Sequence, residues 1–245
     1  MLTQKLAIVT GAARGLGYAV AQQLAAAGCK VLLVGRDAAA IEAAARRLRE
    51  SGAAGGADAV AHVADIADAG NVAALAARLR REFGRADILV NNAGVFLEPR
   101  DFSNPQGASV FEVAPELVAA TWNTNALAPL RLIQAIVPLM RENGWGRIVN
   151  VSSSMGQLAE MGGFWPGYRM SKTALNALTH LAASELKGSN VKINSVCPGW
   201  CSTEMGGPEA TRTPEQGAAS IAWAALLPDD GPSGGFFRDG QPIDW

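Results

Sequence analysis

The chain is poor in metal ligands and in sulfur. Its 245 residues include two histidines and three cysteines, and a metal site needs more converging ligands than these scattered positions provide. No metal is expected, and His62 and His180 read as packing or surface residues. Cys29, Cys197 and Cys201 suit a reducing cytoplasm. No apolar run approaches the ~18 residues of a membrane span, and the residues after Met1 lack a signal-peptide layout. The net charge is −1, which argues against a nucleic-acid or anionic-membrane partner. What the chain does have is apolar residues, 49% of the total, enough for one compact domain with a large core.

Apolar runs alternate with Ala/Leu-rich helical patterns. Strands are predicted near 5–10, 30–35, 59–64, 86–91, 146–151, 191–196 and 235–237. Helices are predicted over 15–28, 38–50, 68–83, 115–141, 166–187 and 213–227, with a small loop at 51–56. Such alternation implies an α/β fold: a single doubly wound domain with about seven parallel strands and helices on both faces. Ligands of such a sheet lie at the carboxyl ends of its strands, near the switch point between the first and fourth.

Two motifs fall on that edge. Thr10-Gly-Ala-Ala-Arg-Gly-Leu-Gly17 follows the apolar run at 6–9 and precedes a helical stretch. Glycines at 11, 15 and 17 let the backbone approach a pyrophosphate, and the helix start offers N–H groups. The second motif is Tyr168-Arg-Met-Ser-Lys172, fifteen residues after Ser153. Four residues is just over one helical turn, so both side chains leave one helix face. An ammonium near a phenol favours the phenolate and makes it a usable acid–base group, so Lys172 is expected to lower the Tyr168 pKa. A serine hydroxyl beside them would bond the same substrate oxygen.

With these motifs, the chain resembles the short-chain dehydrogenase/reductase family, in its carbonyl-reductase-like branch. The likeness runs over essentially all of it. The glycine turn resembles the family's cofactor turn, assigning Gly11, Arg14, Gly15, Leu16 and Gly17. Asn91-Asn-Ala-Gly94 resembles its fourth-strand motif, assigning Asn92, Ala93 and Gly94. Asp65-Ile66 looks like an adenine contact, although a helix cap is an equally natural role for Asp65. Pro198-Gly199 and Thr203 resemble the segment that meets the nicotinamide. The resemblance implies a catalytic set of Asn125, Ser153, Tyr168 and Lys172, with Asn125 holding a relay water and Tyr168 and Lys172 also touching the cofactor. It also implies a cofactor half at about 1–125 and a catalytic and substrate half at about 126–245. The chain departs from the family in a slightly long Ser153–Tyr168 gap and in lacking the long excursion of the animal carbonyl reductases.

The cofactor is expected to be NADPH/NADP+ more than NADH. Gly35 and Arg36 end the second strand where NAD-using members carry an acid, and a guanidinium offers a 2′-phosphate a charge-assisted fork. Asp37 reads as the cap of the next helix. Phe96, Met155, Met161, Phe164, Trp165 and Trp200 are candidate walls of an apolar pocket for a small carbonyl or alcohol, or else caps of the core. The expected activity is carbonyl reduction. Alternatives are a 3-oxoacyl thioester reductase and a dinucleotide-binding protein without catalysis. A homodimer or homotetramer is expected through outward apolar residues of 115–141 and 166–187, with Leu117, Ile133, Val137, Leu175, Leu178 and Leu181 as candidates. The rival reading turns those side chains toward the sheet.

Overall fold

The computed structural model describes residues 4–51, 58–100 and 103–245; the loop expected at 51–56 lies, beyond Ser51, outside them. The sheet begins with β1 (Leu6–Thr10), β2 (Lys30–Gly35), β3 (Ala59–Val63) and β4 (Ile88–Asn91). It continues with β5 (Gly146–Val151), β6 (Val191–Val196), β7 (Phe236–Arg238) and β8 (Gln241–Pro242). Their spatial order is β3-β2-β1-β4-β5-β6-β7-β8, the doubly wound Rossmann order with its switch point between β1 and β4.

The helices are α1 (Gly15–Ala26), α2 (Ala38–Glu50), α3 (Ala69–Arg78), α4 (Pro115–Trp122), α5 (Ala128–Glu142), α6 (Pro166–Glu185) and α7 (Pro214–Ala225). Strand residues split by parity between the two layers, as the pleat requires. Ala7, Val9, Val31 and Leu33 join the core with residues of α1, α2 and α7. Leu6, Ile8, Leu32 and Val34 join residues of α3, α5 and α6. Asp37 caps α2, accepting from Ala40 N at 2.9 Å, as expected of it.

Three expectations need correction. The sheet has an eighth strand, β8, antiparallel to β7. The pair is joined through Asp239 and Gly240, both at positive φ (53° and 73°), the backbone of a tight hairpin turn. The helix expected at 115–141 is two helices joined by a wide π-type turn at Asn123–Leu127, whose Asn123 carbonyl accepts from Ala128 N. Pro129 accounts for part of this: it has no N–H to return to the Asn125 carbonyl four residues earlier. Finally, Ile133 is buried in the core beneath the sheet, Leu178 and Val137 pack partly into the same core, and Leu175 is buried too. The stripe is largely the sheet's, leaving Leu181 as the strongly exposed candidate.

Under α6 runs a buried polar seam. Asn91 Nδ2 donates to Asn150 Oδ1 at 2.8 Å, and Asn150 Nδ2 donates to Thr179 Oγ1 at 2.8 Å. Thr179 Oγ1 lies 2.8 Å from Ser195 Oγ. Three strands and one helix are thus joined by directional bonds.

Candidate active site

At the switch point, the ends of β1 and β4 are tied by one hydroxyl. Thr10 Oγ1 donates to Val90 O at 3.2 Å and accepts from the N–H groups of Asn92 and Ala93, both at 3.0 Å. Asn92 Nδ2 returns a bond to Thr10 O at 2.8 Å. The glycine turn leaves this knot with positive φ at Gly11 and Gly15 (65° and 54°), and a Cβ on Gly17 would collide with the Gly11 carbonyl. Arg14 stands at the N-cap of α1 without a side-chain cap bond, which leaves first-turn N–H groups to meet an anion. Leu16 packs against the core beside them. Thr203 closes the far side, its Cγ2 3.4 Å from where a Gly15 Cβ would stand.

These residues fit a dinucleotide with a 2′-phosphate. Gly35 puts no acid at the end of β2, Arg36 is exposed and without an ion-pair partner among the described residues, and Asp37 is occupied as a cap. Arg14 differs from expectation in that its guanidinium pairs with Glu204 at 2.5 Å, both side chains largely exposed. Asp65 does not cap α3. That role falls to Asp68, which accepts from Asn71 N at 2.7 Å, while Asp65 Oδ1 accepts from Ala67 N. Ile66 beside it is buried. Pro198-Gly199 is braced from below by Arg212, which donates to Pro198 O at 2.9 Å and is ion-paired with Asp239.

Ser153, just past β5, stands beside Tyr168, in the first turn of α6, near enough for its hydroxyl to favour the ionised phenol. Lys172 stands one turn on, its Nζ donating to Val151 O at 2.8 Å and 5.6 Å from the centre of the Tyr168 ring. Asn125, in the wide turn, accepts from Val95 N and donates to Val95 O, each at 2.8 Å, and donates to Ser171 Oγ at 3.0 Å. Gly94 stands between them: its missing Cβ would lie 3.2 Å from Asn125 Oδ1 and 3.6 Å from Lys172 Nζ. The glycine leaves a notch of hydrogen-bonding size between the amide and the ammonium.

Burial dominates the proton affinities here. It pushes the Tyr168 phenol up to about 12, while the Ser153 hydroxyl pulls the other way and Cys197 adds to the rise. Burial brings the Lys172 ammonium down to about 8, with Cys197 opposing. Any lowering of Tyr168 by Lys172 is therefore outweighed. Both groups are desolvated, and the ammonium is directed at a carbonyl oxygen.

The candidate pocket residues separate into two kinds. Met161, Phe164 and Trp200 are exposed, and Phe96 and Met155 are half-buried. Trp165 is buried, its indole donating to Pro99 O at 2.8 Å, and so supports the start of α6. A separate hollow of about 310 Å³, bordered by His180, Lys187, Lys192 and Ser233, lies at the other end of α6 and shares no residue with this group. Thr10, Glu98 and the Arg212–Asp239 pair escaped the sequence reading. Among the described residues no group of three His, Cys, Asp or Glu is arranged to hold a metal.

A doubly wound sheet with a glycine turn at its switch point defines a dinucleotide-binding class of α/β protein. Comparison with known proteins narrows the class. The family model described as short chain dehydrogenase matches residues 5–213. Carbonyl reductase (NADPH) 1 of Sus scrofa is 32% identical, the alignment covering 98% of this chain and 94% of that protein. (+)-Neomenthol dehydrogenase of Capsicum annuum is 31% identical, with 95% of each covered. Among solved structures, a metagenomic short-chain oxidoreductase in complex with NADP is 31% identical over 96% of both chains, with a TM-score of 0.77. The chain belongs to the short chain dehydrogenase family. The alignment to the Sus scrofa protein spans 291 positions against 245 residues here, so that relative carries segments this chain lacks.

The lowered Lys172 pKa is directly measurable. In a lysine-selective NMR titration one resonance is expected to lose its charge near pH 8, well below the ~10.4 of free lysines, and to vanish in Lys172→Arg. A set of lysines all titrating together near ~10.4 would contradict the burial argument.

Proposed function

We propose that this protein is an NADPH-dependent carbonyl reductase acting on small ketones and aldehydes or, in reverse, on secondary alcohols. The observation that carries the reading is the convergence of Ser153, Tyr168 and Lys172 at the carboxyl edge of the sheet, beside the glycine turn. The names of the relatives, NADPH carbonyl reductase and neomenthol dehydrogenase, support the same chemistry.

NADPH, when bound, supplies a hydride from its nicotinamide ring. The chain would hold it with Gly11, Gly15, Leu16, Gly17, Arg36, Asp65, Ile66, Asn92, Ala93, Gly94, Pro198, Gly199 and Thr203. Arg14 can join them on exchanging Glu204 for phosphate. Tyr168, kept protonated by its burial, gives its proton to the carbonyl oxygen, and Ser153 holds that oxygen as charge develops on it. Lys172, cationic below about pH 8, stabilises the phenolate left behind and holds the nicotinamide ribose. The notch at Gly94 offers a water-sized relay between Lys172 and Asn125. Phe96, Met155, Met161, Phe164 and Trp200 form the apolar side, with Trp165 behind them. Residues 1–125 supply most of the cofactor contacts and residues 126–245 most of the chemistry.

A thioester carrier arm would call for a basic rim, whereas near 200–213 Glu204 already engages Arg14, and Arg212 is turned inward to Asp239. The unpaired state of all three cysteines supports a cytoplasmic setting.

Tyr168→Phe is expected to bind NADPH normally and to lose about 10²- to 10⁴-fold in kcat, because only the transferable proton is removed. Following NADPH oxidation with a ketone panel measures this, and a variant retaining more than about a tenth of the rate would require another acid. Arg36→Ala is expected to weaken NADPH by roughly 10- to 150-fold through loss of a charge-assisted phosphate contact, while NADH changes little. Equal losses for the two cofactors in parallel titrations would refute that role. A homodimer or homotetramer also fits the surface: Trp122, Leu127, Met170 and Leu181 stand exposed on the α4–α5 and α6 helices, where a second subunit would cover them. Sedimentation at micromolar protein is expected to give a species of at least twice the chain mass, and a lone monomer would overturn the assembly.

A further inference from the structure

Helix α6 begins without a side-chain cap of its own. Trp165, at the N-cap, is in the left-handed region (φ 53°). Pro166 has no N–H, so the first unmatched donors of the helix are the N–H groups of Gly167 and Tyr168. A residue remote in sequence meets one of them: Glu98 Oε1 accepts from Tyr168 N at 3.1 Å. The Glu98 side chain is buried at 2% exposure, and its Oε2 has no hydrogen-bond partner among the described residues. A half-satisfied buried acid is destabilising on its own account, so packing does not explain it. The surroundings are shaped to admit it: a Cβ on Gly167 would stand 2.8 Å from Oε1.

The neighbours of Glu98 also act on Tyr168. The Phe96 ring stacks on the phenol ring, with centroids 4.3 Å apart and planes 9° apart. Val95 is clamped through both backbone groups by Asn125. Segment 95–98 thus grips Tyr168 by ring and by backbone, and is itself fastened to the wide turn.

We propose that Glu98 is a positioning residue for Tyr168, acting through the Tyr168 amide to fix where the phenol stands against Ser153. The proposal rests on the reading of Tyr168 as proton donor. Two variants of similar volume test it: Glu98→Gln keeps an acceptor at Oε1, and Glu98→Met removes it. Three quantities are measured on the full chain: hydrogen exchange at the Tyr168 amide, NADPH affinity by fluorescence, and kcat with a ketone. Glu98→Met is expected to exchange faster at Tyr168 and to lose about 10- to 100-fold in kcat, the usual consequence of a small misplacement of a reacting group. Its NADPH affinity should stay unchanged, and Glu98→Gln should restore both exchange and rate. If Glu98→Met does not fold, Glu98→Asp, which draws the acceptor back by one methylene, replaces it with the same expected direction. Wild-type kcat in Glu98→Met, or an equal loss in Glu98→Gln, overturns the proposal. Faster exchange with no loss of rate leaves Glu98 a helix cap alone and also overturns it. A wild-type protein that turns over no ketone sinks the reductase reading and the positioning role with it, while exchange at Tyr168 still reports whether Glu98 caps the helix.

Discussion

The site is organised around the hydroxyl of Thr10. Parallel strands joined by right-handed crossovers bring their carboxyl ends to one edge, and the β1–β4 ladder runs up to the Val9–Val90 pair, just short of those ends. Thr10 Oγ1 holds them with three bonds, one given and two received. On one side of the knot the chain enters the glycine turn. On the other it runs through Gly94 and Val95 to Phe96 and Glu98, and from there to Tyr168. The glycine turn and the Tyr168 phenol are therefore built outward from the same few atoms.

Desolvation then sets the chemistry. A phenol raised to about 12 stays protonated at neutral pH, and the same rise makes it a weaker acid than a solvated tyrosine. An ammonium brought down to about 8 is cationic at neutral pH and close to giving up its charge. At neutral pH the pair therefore stands as a neutral phenol beside a cationic ammonium, and alkaline conditions remove the ammonium charge first. Ser153 moderates the phenol from one side, and Val151 O holds the ammonium on the other.

Much of this was legible in the sequence because each motif follows a strand whose apolar pattern is unmistakable. The glycine turn, Asn92-Ala-Gly94 and Ser153 fall where strand ends had been read, and the Tyr168–Lys172 pair falls at the start of a helix that had been read at 166–187. What escaped depended on short or distant signals. Asp239-Gly240 is a strong two-residue hairpin signal, yet β8 contributes only two residues and no hydrophobic alternation. Pro129 four residues after Asn125 marked the wide turn, hidden inside a continuous helical pattern. Glu98 went unread, since nothing local reveals that it is buried against the amide of Tyr168, seventy residues later. The apolar stripes of the long helices satisfied both the sheet and a partner as readings, and the sheet took most of them.

The polar seam beneath α6 has a mechanical consequence. A helix lying on a sheet through aliphatic contacts alone can slide or roll with little resistance, because dispersion forces have no direction. Thr179 removes that freedom: bonded to Asn150 on one strand and Ser195 on the next, it indexes the helix against the sheet in translation and in rotation. Tyr168 lies eleven residues earlier, close to three helical turns, so a phase fixed at Thr179 is carried along a rigid rod to the phenol. The seam works as a keyway: its bonds lie under the middle of the helix, and the alignment they set is carried to the helix's first turn.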